Sequence, residues 1–346
     1  MAEEGSNDMP PKTKLIAGAL ALMTLLASGC GQGPLAPSTK DDRINIQRPA
    51  GRVTGFYTRN VIYRVDEDIT LGMPNLNADI QVYQENQPFI PANRDDYVVR
   101  IHTGDLIIDQ DAMAKIFNKY EFAYPDCPLS NLTIEAKQGK LKMAGTLRKG
   151  ILPLPFEMEG ALRPNGQGQV VLTPDSVKSA GIPVKGLMNL IGLEVANLMN
   201  ARPNGGLKID GNDLIIHPDR LLPAPAISGF VSGVRVEPGK VIMVFDDQVR
   251  REVPTLPEPW AQNWILMQGG NILINSHLIM DATLQMIDLN PKDPMHYYMP
   301  LYREQLEAGF TVATRTATIA YLPDLYDIHA PLPRYRPSMP GAPSGR

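Results

Sequence analysis

The chain predicts an α+β fold: a highly curved antiparallel sheet wrapped around a long amphipathic helix, with additional C-terminal strands and a short helix. Three observations carry this. From Asn131 to Phe245 apolar residues recur at every second position (Leu132, Ile134, Ala136; Leu141, Met143; Leu154, Phe156, Met158), the period of half-buried strands. Turn signals such as Gln138-Gly139, Pro164-Asn165-Gly166, Asp210-Gly211-Asn212 and Pro238-Gly239 separate the runs, so the strands are expected to be sequential neighbours. Within this meander Leu187, Leu190, Ile191, Val195 and Leu198 repeat at helical spacing, widened by Met188 and Met199 and ended by Pro203 and Gly205-Gly206. A stripe that wide needs a large apolar surface, which the concave face of a curved sheet supplies.

At the N-terminus, Lys12 and Lys14 precede an uncharged run from Leu15 to Ser28, too short to span a membrane comfortably and read as an export signal. The run closes on Leu26-Ala27-Ser28-Gly29-Cys30, which resembles the bacterial lipoprotein signal. That resemblance implies removal of residues 1–29 and lipidation of Cys30, with diacylglycerol and an amide-linked acyl chain such as palmitate, enough for stable anchoring. Ala27 stands where leucine is commonest, and an ordinary cleaved signal with an incidental cysteine is the alternative. A start at Met9 instead of Met1 would give a more usual basic end. Gly31 follows the cysteine where aspartate would favour the inner membrane, so a periplasm-facing outer-membrane lipoprotein is expected. Residues 30–50, rich in Gly, Pro, Ser, Thr and charge, read as a flexible tether.

The formal charge of the 346 residues is −4, and losing Glu3, Glu4, Asp8, Lys12 and Lys14 changes it by one unit, so nothing calls for nucleic acid. Residues 51–329 suffice for one large domain or two small ones. Cys127 has no disulfide partner once Cys30 is lipidated and reads as a loop or buried thiol. Between Arg52 and Arg100 the runs NVIYRV, NADIQVYQ and DYVVRIHTG read as short strands. A helix follows Asp109, its N-cap, with Ala112, Met113, Ile116, Phe117 and Tyr120 on one face. Thr173-Pro174-Asp175-Ser176 reads as a helix start with proline at the first position. Beyond the meander, the Pro-rich EVPTLPEPW crosses to a long strand with Leu278, Met280, Ala282, Leu284 and Met286 on one face. A short helix closed by Gly309 and a final strand from Phe310 follow. Residues 330–346 form a Pro-rich tail without periodicity.

Chemistry is sparse. His102, His217, His277, His296 and His329 are scattered, without metal-ligand spacing, and neither a nucleophile elbow nor a phosphate loop is present; no cofactor, metal or catalytic role is expected. His217-Pro218-Asp219-Arg220 is the most enzyme-like cluster, and reads foremost as a turn after the strand LIIH, with Asp219 and Arg220 in solvent. Sixteen methionines against two tryptophans suit an irregular, exchangeable apolar partner such as a lipid tail, although a methionine-rich core has the same composition.

The series GDLIIDQDAMAKIFN, NLTIEAKQGKLKMAGTLRKGILPLPFEMEGALRPNGQGQVVLTPDSVKSAGIPVKGLMNLIG and LKIDGNDLIIHPDRLLPAPAISGFVSGVRVEPGKVIMVF resembles the LmeA-type envelope proteins, related to the tubular lipid-binding (TULIP) superfamily that includes the BPI-like proteins. The likeness covers Gly104 to Phe245 and leaves 246–329 as an extension. It implies an apolar tunnel for an acyl lipid or phospholipid. The matching positions are Ile116 and Phe117 on the first helix, Leu187, Leu190, Ile191 and Leu198 on the second, and Met143, Phe156 and Met158 on strands. Glu194, within the second stripe, would face a headgroup or the sheet edge. Three functions follow: an envelope lipoprotein that binds or shuttles lipid; a non-catalytic assembly lipoprotein with a filled core and an envelope protein partner; or a hydrolase using His217 or Asp219.

Overall fold

The computed structural model describes residues 53–125, 127–149, 151–200, 205–249 and 251–330, without the side chains of 149, 188, 193–195 and 197–199. The signal, Cys30, the tether, residues 331–346 of the tail and the side chains of Leu198 and Glu194 lie outside the described part. The described residues belong to one compact unit.

Three long strands open the fold: β1 (Thr54–Arg64), β2 (Thr70–Val82) and β3 (Tyr97–Asp109). Helix α1 (Gln110–Ile116) follows and widens into a π turn at Phe117–Glu121. Next come β4 (Leu129–Lys137), β5 (Lys140–Lys149), β6 (Leu152–Pro164), β7 (Val170–Ser179), β8 (Ile182–Pro183), α2 (Leu187–Asn200), β9 (Leu207–Asp210), β10 (Asp213–Ile216) and α3 (Pro218–Leu221). The chain ends with β11 (Ala226–Gly229), β12 (Val231–Glu237), β13 (Lys240–Asp246), β14 (Trp264–Gln268), β15 (Asn271–Ile274), β16 (His277–Met280), β17 (Thr283–Asp288), β18 (Met295–Tyr298), α4 (Tyr302–Ala308), β19 (Phe310–Ala313) and β20 (Thr318–Leu322).

The protein is mostly β, with a strongly curled, mainly antiparallel sheet in the form of a half-barrel. Its path is β12-β13-β3-β2-β1-β14-β17-β20-β19, with β11 also on β3 and β18 also on β1. A second, antiparallel sheet runs β4-β5-β6-β7-β10-β9, with β8 on β7, so the expected sequential meander is present from β4 to β7. The two sheets join where the β4–β5 and β12–β13 turns exchange backbone bonds, Gly139 N to Val236 O at 2.9 Å and Gly239 N to Ala136 O at 3.0 Å. One apolar core runs through both. A smaller cluster around Trp264, Leu266, Ile287 and Tyr321 is covered by the Pro-rich crossing through Leu256 and Ala261.

The first three strands share a crease. In register, Arg59 faces Asn75, which faces Asp105, and at that level each strand is irregular. Asn60 has φ 54, Pro74 removes an N–H, and Gly104 has φ 127. Across the crease the buried positions change parity: Phe56 and Thr58 but Val61 in β1, Leu71 and Met73 but Leu76, Ala78 and Ile80 in β2, Ile101 but Leu106 and Ile108 in β3. A one-residue slip normally turns every side chain to the wrong face. Here the slip occurs in three neighbours together, so the inner face stays apolar while the sheet bends. The Thr58 hydroxyl donates to Met73 O (3.2 Å) and accepts from Leu76 N (3.1 Å), satisfying backbone that the bulge leaves unpaired.

Several expectations are corrected. No long amphipathic helix is seen among the described residues: Gly192 interrupts α2 at φ 76, ψ 162, and splits it into two short pieces. Thr173 to Ser176 lie inside β7, not at a helix start; Pro174 faces Gly160 where the register shifts, and a bulge tolerates its missing N–H. The strand expected across Leu278 to Met286 breaks at Asp281 (φ 45), leaving Leu278 and Met280 exposed on β16 while Leu284 and Met286 are buried on β17. The single last strand is instead the hairpin β19–β20, closed by Thr314 N to Ala317 O at 2.8 Å.

At the end of β17 three carboxyls gather, with one oxygen each of Asp288, Asp293 and Asp324 within 4.8 Å of the others. Asn263 Nδ2 donates to Asp288 Oδ2 (3.0 Å), and Asn290 N to Asp288 Oδ1 (2.8 Å). His296 N donates to Asp324 Oδ1 (2.7 Å). Burial pushes the Asp288 carboxyl up to about 7 despite these bonds, and raises Asp324 as well.

Two predictions follow from these features. A Cβ on Gly104 would lie 1.9 Å from Asn75 O, whereas one on Gly139 (φ 75) would meet nothing within 4 Å. Gly104→Ala should cost at least about 2 kcal/mol in urea unfolding and Gly139→Ala about 1 kcal/mol; equal costs would remove the crease as a constraint. Asp288 in the folded state holds its proton to about pH 7 and in the unfolded chain releases it near about 3.9. The native state therefore binds more protons between those values, and this contribution to stability is lost as pH rises from about 4 to about 7. Melting curves across that window should show a shallower decline in Asp288→Asn than in wild type.

Candidate apolar binding site

An internal void of about 60 Å³ lies against the inner face of the curled sheet. β1, β2 and β3 supply Phe56, Leu76, Ile80 and Ile101, β14 supplies Ile265 and Met267, and the segment Leu222-Pro223-Ala224-Pro225 closes it from across. The wall includes residues on both sides of the crease, Phe56 and Tyr63 on β1 and Ile101 and Leu106 on β3. Phe89 seals one side: its backbone pairs with Asn271 and Leu273 of β15 (2.7 and 2.8 Å), and its ring meets Tyr97 edge-on at 4.8 Å.

Among the described residues the wall's only polar side chains are Tyr63, Tyr97 and Tyr297. Tyr63 and Tyr297 lie with ring centroids 6.0 Å apart, and the Tyr97 hydroxyl donates to Pro91 O at 3.2 Å. Burial drives all three phenols well above their ordinary range, although the nearby Arg94 guanidinium opposes this at Tyr63 and Tyr97. They stay neutral, so this end of the void offers hydroxyls without charge. Arg94 itself donates to Val65 O at 2.9 Å.

The residues singled out from the sequence lie elsewhere in the core. Met143, Phe156, Met158, Leu187, Leu190 and Ile191 are brought together around one void of about 20 Å³, walled also by Phe122, Leu129, Leu207, Ile209 and Leu214. Phe117 lines a second of about 20 Å³ with Met113, Leu162, Leu221 and Leu222, and Ile116 is buried beside it on α1. Each of these voids has room for about one water. Among the described side chains, none of the eight expected positions other than Leu198 lines the void of about 60 Å³. Its residues fall mainly in 56–106 and 222–299, where the sequence offered alternation interrupted by Pro74 and Gly104. The signal that marks it is the apolar, Pro-rich LLPAPA, whose middle residues Leu222 to Pro225 run between α3 and β11 without regular structure.

Polar clusters have structural partners. His217 N-caps α3 and its Nδ1 lies 3.3 Å from Gln169 Nε2; Asp219 pairs with Arg220 at 3.6 Å, an arrangement of a turn. Burial, then the Arg220 charge, lowers the His217 pKa. Buried His102 bonds Asp79 through Nε2 (2.7 Å) and Asp247 through Nδ1 (3.0 Å), tying β2 and β3 to the chain after β13. Burial opposes ionisation of Asp247, but hydrogen bonds from Arg251, Val249 N and His102 hold it at about 2. In the Asp288 trio, hydrogen bonds within the loop account for the carboxyls, and no ligand role is assigned to them. Among the described residues no helix is long and apolar enough to cross a membrane.

Comparison with protein-family models, curated proteins and solved structures returns no match for this chain.

Proposed function

We propose that this protein is a cell-envelope lipoprotein, anchored through Cys30 to the outer membrane and facing the periplasm, that binds or shuttles an acyl lipid without catalysis. In this reading the curled half-barrel is of the tubular lipid-binding kind. The observation that carries it is the apolar void at the crease, with neutral phenols at one end and a proline-braced segment across it. Each methylene moved into such an interior gains about 0.8 kcal/mol. The ligand's chain lies among Phe56, Leu76, Ile80 and Met267, and its polar end meets Tyr63 and Tyr297 beside Arg94.

The void is smaller than the roughly 150 Å³ cavity that admits a benzene ring, so a long chain enters only by displacing side chains. Leu222 lines both this void and the one beside Phe117, which makes it the first to move. The same small volume favours a second reading, an assembly lipoprotein with a filled core and an envelope protein partner.

Native mass spectrometry with organic extraction on residues 39–346 separates the two. A carrier should show lipid near one per chain in the wild type. Val99→Phe, which fills the void from β3, should cut occupancy below a tenth of wild type with Tm unchanged or raised. An apo mass with no uptake from offered envelope lipids would instead establish the filled-core reading.

A further inference from the structure

The second sheet ends in two hairpin tips on the same side. Lys149 of β5 pairs with Leu152 of β6 across the first, and Ser179 of β7 pairs with Ile182 of β8 across the second. Ile151 at the first tip is 94 % exposed and Leu152 62 %, while Ile182 at the second is 68 % exposed. Large aliphatics at these exposures in adjacent turns are not explained by folding, since a turn needs only backbone freedom and polar or small residues. Ala180 N donates to Pro155 O, so the second tip stands about four residues, roughly 13 Å, behind the first.

The charge beside these tips is mainly positive. Residues 147–157 and 178–186 carry Arg148, Lys149, Lys178 and Lys185 against Glu157 alone. Glu157 is neutralised by Lys142 at 2.8 Å and Lys178 at 3.5 Å. Arg148 is exposed beside the aliphatic tip, with Arg148 N donating to Pro128 O at 2.7 Å and its guanidinium to Cys127 O at 3.5 Å. Apolar side chains at a leading edge with cations just behind match an anionic bilayer, whose headgroups attract the cations while the acyl boundary receives the aliphatics. A protein partner would need a broader flat surface than a turn offers.

We propose that the Ile151–Leu152 hairpin is a membrane wedge, inserting into the boundary of an anionic phospholipid bilayer with Arg148 at the headgroups and Ile182 at the interface. The wedge does not depend on the lipid cavity. Insertion would bring the small void behind Phe156 and Leu187 toward the bilayer side of the protein.

Flotation of residues 39–346 with vesicles tests it without the Cys30 anchor. Vesicles of phosphatidylethanolamine with phosphatidylglycerol should carry the protein, and vesicles of phosphatidylethanolamine with phosphatidylcholine should not. Ile151→Ser/Leu152→Ser should lower flotation at least tenfold while leaving Tm and the extracted lipid unchanged. Arg148→Glu should weaken it severalfold, and Ile151→Trp should shift its tryptophan emission to the blue only with the anionic vesicles. Absence of flotation by the wild type, equal flotation by the double variant, or a dimer in sedimentation that the double variant abolishes would each overturn the wedge. Lipid occupancy, read separately on the same proteins, reports on the cavity alone.

Discussion

The structure depends on the crease at Asn60, Pro74 and Gly104. A sheet whose strands alternate strictly keeps one face apolar only while it stays regular, and a long regular sheet does not curl enough to enclose its own face. Three strands that skip register together solve both problems, because each returns its side chains to the inside after the bend. The partners change at the same place. β1 pairs antiparallel with β14 up to Arg59 and parallel with β18 from Val61, while β3 pairs with β11 up to Ile101 and with β13 from Thr103. His102 sits at that second change, and its two carboxylate partners hold the joint.

The same crease explains how much of the fold was legible. Period-two alternation identified β4 to β6 and the start of β7, where the runs are almost unbroken between turns and the register is nearly continuous; the rest of β7, from Thr173, read as a helix start. In β1 to β3 the parity change made single long strands read as the short runs NVIYRV, NADIQVYQ and DYVVRIHTG. Helical spacing runs from Leu187 to Leu198, but one glycine with positive φ broke the helix into two pieces where periodicity carried on. Asp281 did the same to the strand after Met280. A residue that permits positive φ signals a break only when the structure uses that freedom, and Gly145, within β5, does not.

The site was legible in part for the same reason. Six of the expected side chains converge on one spot because alternate positions of antiparallel strands and the first turn of a helix must meet where the sheet is concave. Their volumes fill the space they share. Nothing in periodicity distinguishes a filled concavity from an open one, since both require the same apolar residues. The larger void appears where two irregular features oppose each other, a crease on one side and a proline-rich segment on the other. Neither can adjust its backbone to close the last few ångströms.

Between the voids stand only a few side chains. Leu222 separates the void at the crease from the one around Phe117, and Phe117 and Phe122, with ring centroids 6.2 Å apart, lie between that one and the third. These partitions are carried by the chain just after α3 and by the π turn, not by paired strands. Short elements with few ladder hydrogen bonds move at lower cost than sheet interiors. The walls of the interior are therefore fixed by the sheets, while its division into separate rooms rests on side chains from its least regular segments. Any ligand longer than the first void tests those partitions before it tests the fold.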